Sequence, residues 1–113
     1  MRSDELLQET LETTGLPVKQ YEYKGTKSEY IVFNEEDERG TAYSDDRPAE
    51  VAIWWQVHLF MPRYSDYRSM KRTIMKALID AGFLLQEITT LFEQETETIH
   101  VAISCGTTEE MEE

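Results

Sequence analysis

Between residues 50 and 61 the chain alternates with a period of two. Val51, Ile53, Trp55, Val57, Leu59 and Met61 fall on one side, and Glu50, Ala52, Trp54, Gln56, His58 and Phe60 on the other. Successive side chains of a strand point to opposite faces, so this pattern predicts a long half-buried strand with the odd-numbered set as its core face. Pro62, which lacks a backbone donor, ends it. Shorter strands are predicted over 18–23, where Val18, Lys19, Gln20, Tyr21, Glu22 and Tyr23 alternate, and over Tyr30, Ile31, Val32 and Phe33, which are β-branched and aromatic. Two more are predicted over 83–92 and 98–104, joined by a hairpin loop at 93–97. In the second, Ile99, Val101 and Ile103 alternate with His100, Ala102 and Ser104. Residues 34–47 are rich in acids and read as a loop with one short strand around Tyr43.

Two segments carry the helical period instead. Residues 3–14 start at Ser3 as N-cap, place Asp4 and Glu5 in the first turn, and stop at Gly15, Leu16 and Pro17. Leu6, Leu7 and Leu11 form a narrow apolar stripe, so this helix must dock to be stable. Residues 65–81 start at Ser65, place Asp66 in the first turn and stop at Gly82, burying Met70, Ile74, Ala77, Leu78 and Ala81. The order α-β-β-(β)-β-α-β-β predicts an α+β fold: a mainly antiparallel sheet of four to six strands with two helices on one face. One domain is expected over residues 1–106, followed by a flexible acidic tail at 107–113.

Composition narrows the function. The chain has 113 residues, 40% of them hydrophobic, which is enough for a core. The net charge of -12 opposes phosphate backbones, so no nucleic-acid partner is expected. No apolar run approaches the roughly 20 residues of a membrane span, and MRSDELLQET has no signal-peptide core, so a soluble cytosolic protein is expected. Cys105 is the only cysteine, which rules out an intramolecular disulfide.

Candidate chemistry is sparse. His58 and His100 sit opposite the core sets of their strands, too few ligands for structural zinc, and are read as half-exposed. Cys105 with His100 as base would be a nucleophile pair, but nothing around them supplies an oxyanion site. The cluster Glu35, Glu36, Asp37, Glu38, Asp45 and Asp46 lacks the ligand ladder of a calcium loop and reads as a solvated loop or a docking surface for a basic partner. No cofactor or metal is expected.

One patch runs against the acidic background. Arg63, Arg68, Lys71, Arg72 and Lys76 share a segment with only Asp66 as an acid, a net +4 that leaves -16 for the rest. Arg68, Lys71, Arg72 and Lys76 lie three and four apart, forming one stripe on the second helix. Such a stripe is either a solvated face with internal pairing or a contact. In the second case it meets Glu36, Asp37, Asp45 and Asp46 of another copy, a head-to-tail arrangement that closes into a ring. Trp54 and Phe60 lie on the non-core strand face, where they are either covered by the helices or serve as apolar anchors of an interface.

Several segments resemble small tail-terminator or tail-completion (head-tail joining) proteins of long-tailed phages and prophages of Gram-positive bacteria. They are the first helix running into Thr13, Thr14, Gly15, Leu16, Pro17 and Val18; Tyr30, Ile31, Val32 and Phe33 before an acidic turn; Thr41, Ala42, Tyr43, Ser44, Asp45 and Asp46; the strand over 51–60; the helix ending at Asp80, Ala81, Gly82 and Phe83; and the closing hairpin. The resemblance spans residues 5–104. It departs after the long strand, where Phe60, Met61, Pro62, Arg63 and Tyr64 stand in place of an acidic turn. It implies a non-enzymatic α+β subunit that assembles with itself into a ring, typically a hexamer. That ring caps the tail-tube protein, faces the head connector, and is part of the virion neck after assembly in the host cytoplasm. The alternative is an acidic inhibitor or adaptor that mimics nucleic acid and binds a basic host protein.

Overall fold

A computed structural model describes residues 2–44 and 47–111. The elements are α1 (Ser3–Glu12), β1 (Val18–Gln20), β2 (Tyr30–Ser44), β3 (Arg47–Pro62), α2 (Tyr67–Asp80), β4 (Leu84–Glu93) and β5 (Thr98–Glu110). The strands form one sheet in the order β1-β2-β3-β5-β4, antiparallel except for the parallel β1–β2 pair, and the fold class is α+β. β3 is its axis. At about 3.3 Å per residue its 16 residues span roughly 50 Å, which accounts for a molecule 54 Å long and 25 × 22 Å across.

From Val51 to Met61 every odd residue of β3 is buried and every even one is half-buried. Both helices lie over the odd face. Leu7 and Leu11 of α1 and Ile74 and Leu78 of α2, all fully buried, pack with Ile31, Phe33, Trp55, Val57, Leu59, Val101 and Ile103. Phe33 and Trp55 meet edge to face at 5.8 Å. Gly82, at φ +97, takes the left-handed position that ends α2, with Gly82 N–H on the Ile79 carbonyl and Phe83 N–H on that of Leu78.

Several boundaries depart from expectation. The first strand stops at Gln20, because Tyr21 adopts φ +74 and turns the chain; Tyr23 then stacks its ring on Tyr30 instead of joining a ladder. The acidic stretch after Phe33 is strand and no loop: Glu35, Asp37, Glu38 and Arg39 pair with Trp55, Trp54, Ile53 and Ala52. The separate strand expected around Tyr43 is therefore the far end of β2. Asp66, and not Ser65, caps α2, accepting from Ser69 N–H at 3.2 Å while the Ser65 hydroxyl donates to the Pro62 carbonyl.

The expected flexible tail is corrected as well. Thr107 to Glu110 continue β5, paired with Ile53 to Glu50. Their anchor is Glu109, whose carboxylate accepts from the Ser3 backbone N–H at 2.8 Å and from the Ser3 hydroxyl. The same hydroxyl accepts from Trp55 Nε1–H at 3.0 Å. Ser3 is thus the first residue of α1 and no N-cap; Arg2 holds that position without a side-chain capping bond, its guanidinium pairing with Asp4 instead. A carboxylate from β5 satisfies one of the orphan donors at the positive end of the helix.

Ser3 is 2% exposed, so its replacement strands a buried indole N–H. Ser3→Ala is expected to destabilise the fold by about 1–3 kcal/mol, read from urea unfolding, even though alanine suits a helix better than serine.

Candidate functional site

The second helix, unlike the acidic α1, carries charge opposite to that of the far face of the sheet. On α2, Arg68, Arg72 and Lys76 are exposed and fall on one line of successive turns, about 12 Å long at 1.5 Å per residue. Lys71 is half-buried and donates from Nζ to Thr90 Oγ1 at 3.0 Å. None of the four forms an ion pair among the described residues. Nor are they placed to suit the helix: Arg68 sits in the first turn and Asp80 in the last, both against the macrodipole. Local stability does not account for the stripe.

Neither helix covers the even-numbered face, so Trp54 and Phe60 are not core residues. Each is half-buried among side chains of its own sheet. Trp54 lies flat over Gly106, where an added Cβ would come within 2.6 Å of the indole. Phe60 is held in a column of rings, with Tyr30 at 4.9 Å on one side and His100 at 4.3 Å on the other; Tyr23 extends it beyond Tyr30 at 4.4 Å.

The face is acidic. A bulge between Glu35 and Asp37 sends Glu36 across it, where its carboxylate accepts from Gln56 Nε2 at 2.8 Å and Ser104 Oγ at 2.9 Å. Asp37 is paired with Arg39 at 2.9 Å. Glu50 stands directly opposite Glu110, and Glu87 and Glu93 share the face from β4. Glu36 and Glu87 flank a shallow recess of about 310 Å³ that Gln56, Gln86, Thr89 and Ser104 complete. Of the residues expected to make contacts, Glu36, Asp37, Trp54 and Phe60 therefore share one surface, while Arg68, Lys71, Arg72 and Lys76 lie on the opposite layer. Asp45 and Asp46 lie outside the described residues.

At the centre of the acidic face is a group that sequence reasoning missed. His58 Nδ1 and His100 Nε2 are 2.8 Å apart, His58 Nε2 is 2.9 Å from Asn34 Oδ1, and His100 Nδ1 is 3.5 Å from a Glu93 carboxylate oxygen. The Asn34 amide nitrogen donates to the Glu35 carbonyl at 3.3 Å, which leaves its oxygen for His58. His58 must then donate from Nε2, and His100 must donate from Nε2 to the lone pair on His58 Nδ1. Burial pushes the His58 pKa below the ordinary histidine value; His100 adds to this and Glu36 opposes it. The two histidines sit diagonally on adjacent strands, since His100 pairs with Phe60 and Ala102 with His58. Their even positions put both on the open face, but only the β3–β5 register brings them together.

Cys105 is fully buried on the helix side, so it and His100 are on opposite faces of the sheet. Burial, aided by Glu36, pushes the thiol to about 12, which leaves no thiolate for nucleophilic work. No group of three or more metal-binding side chains occurs among the described residues, and no described helix is long and apolar enough to cross a membrane.

Folding stability should carry the His58 signature. Between pH 6.5 and the lower folded value the unfolded chain binds a proton that the folded chain refuses, so stability falls as pH drops through this window. Urea midpoints from pH 8 to pH 5 are expected to fall less steeply for His58→Gln than for the unaltered chain. Cys105 is expected to resist thiol reagents at pH 8 until the protein is unfolded. The chain matches no protein-family model and no curated protein.

Proposed function

We propose that this protein is a non-enzymatic virion assembly subunit. In this reading it is a ring-forming tail terminator or head-tail joining component of a long-tailed phage or prophage. The observation that carries the reading is the polarity of the molecule. A cationic stripe with no ion-pair partner among the described residues lies on α2, and a half-apolar acidic face lies on the other side of the sheet. Surfaces that complement each other from opposite sides of one chain make head-to-tail contacts, which close into rings or run on as filaments. The resemblance of residues 5–104 to tail terminators supplies the setting. The ring caps the tail-tube protein and presents its other side to the head connector, and it is built in the host cytoplasm.

Acidity alone also suits an inhibitor that mimics nucleic acid. The stripe of Arg68, Arg72 and Lys76 works against that reading, because a basic groove would meet like charge there.

Arg72→Glu reverses one exposed charge and should leave unfolding within about 0.5 kcal/mol of the unaltered chain. It is expected to weaken ring formation by about tenfold or more at low salt, counted by electron microscopy of the protein mixed with tail tubes. Rings that form and cap tubes equally well with the variant would remove the charge pairing from this reading.

A further inference from the structure

The assembly reading sets the cationic helix against the acidic face but leaves open where on it the helix sits and what the half-buried histidine pair does there. We infer that the helix of a second copy docks on the uncovered sheet face centred on His58 and His100, and that a second proton taken up by this pair closes the dock. This rests on the ring-forming reading above.

Charge complementarity selects the occupant. On its strands the face carries Glu36, Asp37, Glu50, Glu87, Glu93 and Glu110, against Arg39 and Lys19. Asp37 is already paired with Arg39, while Glu50 and Glu110 are set like charge against like charge, an arrangement an incoming cation relieves. Arg68, Arg72 and Lys76 of the second copy supply three cations on one line. Trp54, half-buried with its indole over Gly106, offers apolar surface between the carboxylates, and a guanidinium stacks well on an indole.

The histidine chain sets the charge at the middle of that seat. A proton on His100 Nδ1 is met by Glu93 and keeps every hydrogen bond in the chain. A proton on His58 Nδ1 is met by the Nε2–H of His100, donor against donor at 2.8 Å, so the bond between the rings must open. The groups facing the pair are Asn34, Glu36 and Tyr30 from β2, Tyr23 from the preceding loop, Phe60 from β3, Glu93 from β4 and Ser104 from β5. Of these, Glu36 and Glu93 are the only anions. Glu93 is engaged by His100, and Glu36 is held by Gln56 and Ser104. The second proton therefore places a cation, only partly offset by Glu36, where the partner's cations must sit, and loosens the ring column that shapes the surface.

The full chain is tested by histidine NMR and by sedimentation at several salt concentrations between about pH 7.5 and pH 5.5, with tail tubes present and absent. His58 is expected to titrate below the ordinary histidine value, and its protonation to shift the Phe60 and Tyr30 ring signals. If docking requires loss of the second proton, association weakens by up to about tenfold per pH unit below that titration. In His58→Gln the ratio between the two pH values should flatten, whatever the absolute affinity. Glu87→Lys should weaken association, and joining it to Arg72→Glu should recover part of the loss. An unchanged pH ratio in His58→Gln would overturn the proton gate and leave the ring reading standing. A double variant as weak as the two single losses combined would move the dock elsewhere. If no association occurs at any pH, with tubes or without, the ring reading and the dock fall together, and the NMR titration alone decides whether the pair binds its second proton as described.

Discussion

The strict alternation of β3 is the constraint on which the molecule is organised. Six side chains from Val51 to Met61 are buried on one face, five of them, Ile53 to Met61, in the core that α1 and α2 cover, and a slip of one residue would turn all six outward. With that face committed, Ala52, Trp54, Gln56, His58 and Phe60 have no choice but the other. The strands on either side, β2 and β5, inherit the same division through their pairing with β3. The helices hold the core closed; β3 decides what is left open.

An open sheet face in water needs its large side chains occupied, and this one meets the need laterally. Phe60 lies between Tyr30 and His100, Trp54 lies over a glycine, and Glu36 reaches across to Gln56 and Ser104. The result is a surface that is ordered without being covered. Its rings are held by one another and its polar groups are already oriented by bonds within the sheet, which lowers the entropy lost when something settles on it.

The parts of the fold with strong periodicity were legible in the residues: β3, the core face of β5 as far as Ser104, and the apolar stripe of α2. The length of β2 was not. Glu35, Glu36, Asp37, Glu38 and Gly40 have weak intrinsic preference for a strand and are extended because β3 offers a ladder beside them. The same holds for Thr107 to Glu110, which read as a tail by composition and are held by β3 and by Ser3. The cationic stripe on α2 could be read because helical neighbours are close in sequence. The histidine pair could not, since its two members are 42 residues apart and meet only through the register of two strands.

The bond between Glu109 and Ser3 joins parts of the chain that are 106 residues apart. It fastens the far end of β5 to the beginning of α1, and Trp55 ties both to the central strand. A mechanical load on the last residues of β5 is thereby carried straight into the helix layer and the middle of the sheet, so the outermost turn of strand cannot peel away without also uncapping α1.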